Sequence, residues 1–142
     1  MKDMSTYLTF DGNCRQAMEF YKKCLGGELF FMPVGESPVE APKEAKDRIM
    51  HASLKIGSIS LLAADSWMNQ PLHTGNNFAI CIVPESLQET KRLFAALSEN
   101  GKVGMEMINA IGAGVWPKEE GVRRARGWQG GTIQITRQHC WE

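Results

Sequence analysis

A histidine within a strongly alternating segment is the residue best suited to chemistry in this chain. Between residues 48 and 56, apolar side chains at even positions alternate with His51, Ser53 and Lys55. This pattern predicts a β-strand that carries His51 and Ser53 on one face. Because imidazole titrates near neutrality, His51 there could donate to a ligand or act as a base. The plainer alternative is a strand-edge histidine bonded to a nearby carbonyl.

Four further side chains are candidates for the same site. Tyr7 and Thr9 alternate along a segment rich in β-formers and would offer hydroxyls. Asp65 ends a later apolar strand and would offer a carboxylate, and Trp67 beside it would offer an aromatic lid. The plainer interpretations are cross-strand packing, a turn-forming Asp and a half-exposed packing residue. The predicted substrate-binding set is Tyr7, Thr9, His51, Ser53, Asp65 and Trp67, and no catalytic residue is assigned.

Metal-ligand spacings are missing from the sequence. The histidines, at positions 51, 73 and 139, and the cysteines, at positions 14, 24, 81 and 140, form no C-x-x-C or closely spaced histidine pair. A zinc or iron site needs about three or four converging ligands. We therefore expect no metal site and no cofactor, with a divalent metal as the disfavoured alternative. The cysteines are expected to be reduced, small buried hydrophobes.

Two segments with the same order of elements must position these side chains. The first is predicted to contain a strand at residues 7–10, a helix from Asn13 to Gly26-Gly27, and strands at 28–32, 48–56 and 59–64. The order restarts with a strand at 78–83, a helix capped by Ser86, and a strand at 102–107. Equivalent apolar helix positions are 73 residues apart, as Tyr21 and Phe94 are. This repetition predicts two tandem modules, about 4–66 and 76–142, within a single domain, 1–142.

Composition restricts the partners of the chain. The 142 residues suit one domain, and 16 basic residues balance 16 acidic ones. A net charge of zero argues against nucleic acid and membrane surfaces as partners. With no apolar N-terminal segment and no run of roughly 20 apolar residues, we expect a cytoplasmic protein.

Several short segments resemble one known family. They are YLTFDGNC (7–14), AMEFY (17–21), LGGE (25–28), HASL (51–54) with Gly57, LFAALS (93–98) and GKV (101–103). They resemble the PhnB-like branch of the glyoxalase/bleomycin-resistance/dioxygenase superfamily, the vicinal oxygen chelate proteins, which also carry a 3-demethylubiquinone methyltransferase-like label. The resemblance implies an α+β fold of tandem βαβββ modules, a half-open curled mixed sheet around a cavity with helices on the outer face, and a homodimer.

The likeness ends near Met107. Residues 108–131 are rich in Gly, Arg and Glu and are atypical of the family, whereas residues 130–136 could still form a closing strand. Ordinary divergence and an altered reading frame near residue 108 both explain the change. Translating the coding DNA in its other two frames distinguishes them, because a familiar motif there would identify the altered frame.

The expected function is therefore that of a small-molecule-binding protein whose ligand the sequence does not name. The alternative is a divalent-metal-dependent lyase, isomerase or dioxygenase that acts on a small metabolite. A third hypothesis is an interaction domain without a cavity function. One scaffold hosts many chemistries, so whether the chain is an enzyme is left open by the fold.

Overall fold

A computed structural model describes residues 4–67, 70–73, 79–99 and 133–136 of the chain. These residues belong to two compact units. The first unit contains β1 (Thr6–Phe10), α1 (Cys14–Leu25), β2 (Glu28–Pro33), β3 (Ile49–Ile56) and β4 (Ile59–Asp65). This order confirms the βαβββ module predicted for the first half.

The strands of the first unit form one mixed, curled and unclosed sheet in the order β1-β4-β3-β2. β1 runs parallel to β4, while β3 is antiparallel to both β4 and β2. The helix between β1 and β2 lets the chain return to a strand in the same sheet, and the Gly57 turn joins β3 to β4 as a hairpin.

One face of this sheet packs against α1 and forms the core. Its central row runs through Leu8, Ala63, Ala52 and Phe31 on the four strands. The buried helix residues Cys14, Ala17, Met18, Tyr21 and Cys24 recur at helical spacing and cover this face. Burying a side chain such as Met18 stabilises the fold by about 1.5–3 kcal/mol. Among the described residues, α1 covers only one face of this sheet.

The second unit contains β5 (Ala79–Ile82), α2 (Leu87–Ser98) and β6 (Ile133–Thr136). Both helices are 12 residues long, and their first residues are 73 positions apart, which matches the predicted repeat. Ser86 caps α2 as predicted, since its side chain accepts the backbone N–H of Glu89 at 3.1 Å. The strand predicted at 102–107 lies outside the described residues.

The pairing of β6 differs from that of its counterpart in the first unit. The sequence of residues 130–136 is compatible with a closing strand, and β6 within it pairs with β5. The β5–β6 pair is antiparallel, whereas β1 and β4 are parallel. The described parts of the two units therefore share their strand–helix order but not the direction of this pairing. None of the helices described is both long and apolar enough to cross a membrane.

Candidate functional site

The face of the first sheet opposite α1 carries four of the six predicted site residues. Residues paired across neighbouring strands project to the same side of a sheet. The register therefore places two rows of side chains on this face: Tyr7–Leu62–Ser53–Phe30, and beside it the pairs Thr9–Ala64 and His51–Met32. We call these two rows the open face. The predicted sharing of one face by His51 and Ser53 is confirmed, and Tyr7 and Thr9 lie on the same side.

A contact between Tyr7 and His51 is the chemical centre of the open face. The Tyr7 hydroxyl lies 3.4 Å from His51 Nδ1, and the ring centroids are 6.0 Å apart at an interplanar angle of 39°. Desolvation by partial burial, followed by the influence of Cys14, raises the pKa of Tyr7 above its ordinary value. Tyr7 is therefore a neutral phenol at physiological pH, and the pair is a hydrogen-bonding unit without a phenolate.

The side chains of the open face differ in size and exposure between its outer strands and its centre. Tyr7 is 50% exposed and Phe30 is 59% exposed, whereas Ala64 between β1 and β3 is only 9% exposed. Ala64 is thus a small, buried side chain between larger and more exposed ones. Apolar surface with a few polar groups around a depression is the usual character of a small-molecule site.

Asp65 lies on the side of the sheet covered by α1, where it pairs with Phe10. Its Oδ1 accepts the backbone N–H groups of Gly12 and Cys14 at 2.8 and 3.0 Å, and its Oδ2 accepts that of Ile49 at 2.8 Å. Both carboxylate oxygens therefore bind backbone. The carboxylate does not join the open face, and we leave Asp65 out of the proposed site.

The same contacts revise the predicted start of α1. Asn13 occupies the N-cap position, but its side chain makes no capping hydrogen bond. Instead, Asp65 at the end of the neighbouring strand β4 accepts the N–H of Cys14, the first helical residue. Nothing in the local sequence signals this cap, because Asp65 is 51 positions away.

Trp67 lies two residues beyond β4, outside both rows of the open face, and is 52% exposed. The preceding residue is fixed to the end of β1, since the Ser66 N–H donates to the Phe10 carbonyl at 2.7 Å. The lid role of Trp67 stays a prediction.

An ion pair beside this segment is not predicted by the sequence. The Arg48 guanidinium donates to Asp11 Oδ1 and to the Ser66 carbonyl, each at 2.7 Å. It thereby ties the β1–α1 turn to the ends of β3 and β4. Its partners are 37 and 18 positions away along the chain, so no local pattern could indicate the contact.

The described cysteines divide into two kinds. Cys14 and Cys24 are buried, as predicted, but Cys81 is exposed, so its predicted burial is wrong. Cys81 lies on β5, which pairs with a strand on one side and presents this side chain outward. Burial first, and then the nearby Asp65, raises the pKa of Cys14 to about 12 despite the opposing influence of Arg15. The Cys14 thiol is therefore a packing group rather than a nucleophile.

The raised pKa of Cys14 predicts a specific loss of stability at alkaline pH. The pKa of Cys14 in the folded protein exceeds the ordinary thiol value of 9.0. The stabilisation that this thiol contributes to the fold is therefore complete below pH 9 and falls as the pH rises toward 12. Between about pH 8.5 and 10.5, wild type should lose about 2 kcal/mol more unfolding free energy than Cys14→Ala. Urea denaturation at several pH values measures this difference. The exposed-thiol control Cys81→Ala should follow wild type, and identical slopes for Cys14→Ala and wild type would contradict the prediction.

The superfamily implied by the sequence commonly binds metals, and the residues described do not fit such a site. No group of three or more His, Cys, Asp or Glu side chains there could hold a metal ion. The first strand offers hydroxyls, and His51 is the single imidazole in the two rows. We therefore derive no step through a metal.

A concavity lies away from the open face. It is an open groove of about 460 Å³ along the β2–β3 connection, lined by Arg15, Pro33, Gly35, Glu36, Lys46 and Asp47. The two cationic and two anionic side chains that line the groove balance each other. The groove therefore has no net charge that would favour a ligand of either sign. Arg15 is also engaged, with its guanidinium carbon 4.5 Å from the centre of the Phe31 ring. The open face is therefore the better candidate.

The chain is similar in sequence to a known protein family and to one of its relatives. A family model described as 3-demethylubiquinone-9 3-methyltransferase matches residues 2–128. Protein YjdN of Escherichia coli (strain K12) is 30% identical over 113 residues, which cover 72% of this chain and 76% of YjdN.

Two solved structures have a similar fold. Protein PA1353 from Pseudomonas aeruginosa has 40% sequence identity and a TM-score of 0.69, with 75% of this chain and 79% of PA1353 covered. A putative 3-demethylubiquinone-9 3-methyltransferase, PhnB protein, from Bacillus cereus has 18% identity and a TM-score of 0.59, with 76% and 82% covered. The second likeness concerns the fold alone.

Proposed function

The chain belongs to the PhnB-like family of the glyoxalase superfamily, whose model is described as 3-demethylubiquinone-9 3-methyltransferase, and from this premise we propose that it binds a small molecule on its open face. Tyr7, Thr9, His51 and Ser53 supply the polar contacts, and Leu62 and Ala64 form the floor. Binding proceeds through hydrogen bonds and apolar contact, without a superfamily-type metal.

The main evidence for this proposal is the contact between Tyr7 and His51 beside the apolar side chains of Leu62 and Ala64. Two polar side chains from β1 and β3 meet at 3.4 Å across the intervening β4. Cross-strand packing alone does not require a hydroxyl and an imidazole at these positions. Their convergence beside apolar surface is the arrangement that fixes the orientation of a ligand.

The homodimer implied by the family resemblance is part of the same proposal. Ile59, which lies outside the open face, is a large apolar side chain that is 68% exposed, and exposed apolar surface favours association. Methyl transfer, which the family description names, has no specific support among the residues described.

Loss of the polar pair is expected to weaken binding. We expect His51→Ala and Tyr7→Phe each to reduce the affinity of open-face ligands about tenfold, the effect of one hydrogen bond in a partly buried site. Ligand-observed NMR against a fragment library, followed by titration of the hits, measures this change.

The matched control is His73→Ala, which removes an exposed histidine from the chain segment after β4. It should leave the affinities unchanged. A library without any hit that depends on Tyr7 or His51 would refute the proposed site.

A further inference from the structure

The two rows of the open face contain no Asp, Glu, Lys or Arg side chain. The adjacent row on the same face contains Lys55 and Glu28, which are direct partners on β3 and β2 and have opposite charges. Cross-strand partners of opposite sign offset each other's field. A carboxylate, phosphate or ammonium ligand would therefore lose its hydration without meeting a fixed opposite charge, which is costly.

Aromatic side chains stand at the two ends of the first row. Tyr7 is on the edge strand β1 and Phe30 on the edge strand β2, with Leu62 and Ser53 between them. Three strand spacings separate the two, roughly 14 Å at the usual separation of 4.8 Å. This span exceeds the length of a bicyclic ring. Such a ring lying over Leu62 therefore meets Tyr7, the direct partner of Leu62, in the offset or edge geometry that aromatic rings prefer.

The Tyr7–His51 contact offers a ligand both a donor and an acceptor, whichever tautomer is present. If the Tyr7 hydroxyl donates to Nδ1, then Nε2–H is the free donor and the phenol oxygen retains acceptor capacity. If Nδ1–H donates to the phenol oxygen, the hydroxyl proton is the free donor and Nε2 is the acceptor. A ligand hydroxyl both donates and accepts, so it complements the pair in either state. An ether or a carboxylate only accepts.

We infer that the ligand of the open face is an uncharged aromatic molecule that bears a hydroxyl group, held by Tyr7 and His51 with its ring over Leu62. This ligand class rests on the proposed function, since it concerns the same face and residues. It adds the charge, shape and polar group of the ligand to the location of the site.

Three matched probes test the ligand class. They are naphthol, the corresponding naphthyl methyl ether and the corresponding naphthoate, titrated into wild type, Tyr7→Phe and the control His73→Ala. Isothermal titration calorimetry gives the affinities, and amide proton–nitrogen NMR spectra give the location. Wild type and His73→Ala should bind naphthol about tenfold more tightly than the ether, the effect of one hydrogen bond, and more tightly still than naphthoate. In Tyr7→Phe, the preference for naphthol over the ether should fall below about twofold.

The outcomes separate the ligand class from the proposed function. If the ether or naphthoate binds as tightly as naphthol and shifts the amides of residues 7, 51 and 53, the ligand class is wrong and the site stands. If no probe shifts these amides, both the ligand class and the site are overturned. Unchanged dispersion of the amide spectra in Tyr7→Phe verifies that the variant is folded.

Discussion

Gly27→Ala is expected to reduce the free energy of unfolding by at least about 3 kcal/mol, because a Cβ at this position has no space. It would lie 2.3 Å from the Lys55 carbonyl oxygen and 3.0 Å from the Ile56 side chain. The first neighbour is backbone and can move only with β3. Gly27 also has a φ of +92°, a conformation that side chains rarely adopt.

The adjacent glycine provides a matched control. Gly26 has a φ of +76°, but a Cβ added there would have no atom within 4 Å. Gly26→Ala should therefore cost the conformational term without the steric one, about 1–3 kcal/mol, because its ψ of −160° lies in a region that is essentially restricted to glycine. Urea denaturation of both variants measures the difference in the free energy of unfolding. Equal losses would show that the close approach of the α1–β2 turn to β3 does not restrict the side chain at position 27. The approach matters for function, because it holds β2 and β3, and with them Phe30 and His51, in register.

Asp65→Ala is expected to destabilise the fold by about 3 kcal/mol. The substitution leaves three backbone N–H groups, those of Gly12, Cys14 and Ile49, without their carboxylate acceptor. Unsatisfied buried donors cost about 1–3 kcal/mol each, reduced where water can replace the acceptor. Chemical denaturation measures the loss, and amide hydrogen exchange should accelerate at these three positions.

Asp11→Ala is the control for Asp65. The Asp11 carboxylate is 68% exposed and pairs with Arg48 at 2.7 Å, and exposed ion pairs contribute less than about 1 kcal/mol. A cost for Asp65→Ala no greater than that for Asp11→Ala would contradict the structural role assigned to Asp65. It would also reopen the ligand-binding role predicted from the sequence.

Local patterns predicted the parts of the fold that depend on local rules. Alternation at residues 48–56 predicts that His51 and Ser53 share one face. Helical spacing predicts one apolar face of α1, which consists of Ala17, Phe20, Tyr21, Cys24 and Leu25; the structure buries Ala17, Tyr21 and Cys24 and leaves Phe20 and Leu25 half-buried. Both periodicities follow directly from strand and helix geometry.

Contacts between distant residues could not be predicted in this way. The partners of Asp65 lie up to 53 positions away, so its position after a strand resembled an ordinary turn aspartate. The Tyr7–His51 contact likewise depends on the strand order, which places β4 between β1 and β3. The direction of β6 relative to β5 is not encoded in the local β-pattern.

The central claim is that the open face, rather than the groove at the β2–β3 connection, receives the ligand. Crystallographic fragment screening of the full chain tests this claim most directly. Our account predicts fragment density over Leu62 and Ala64, with a polar atom within hydrogen-bonding distance of the Tyr7 hydroxyl or the His51 ring. Fragments that cluster instead beside Arg15 and Lys46, with the open face empty, would contradict it.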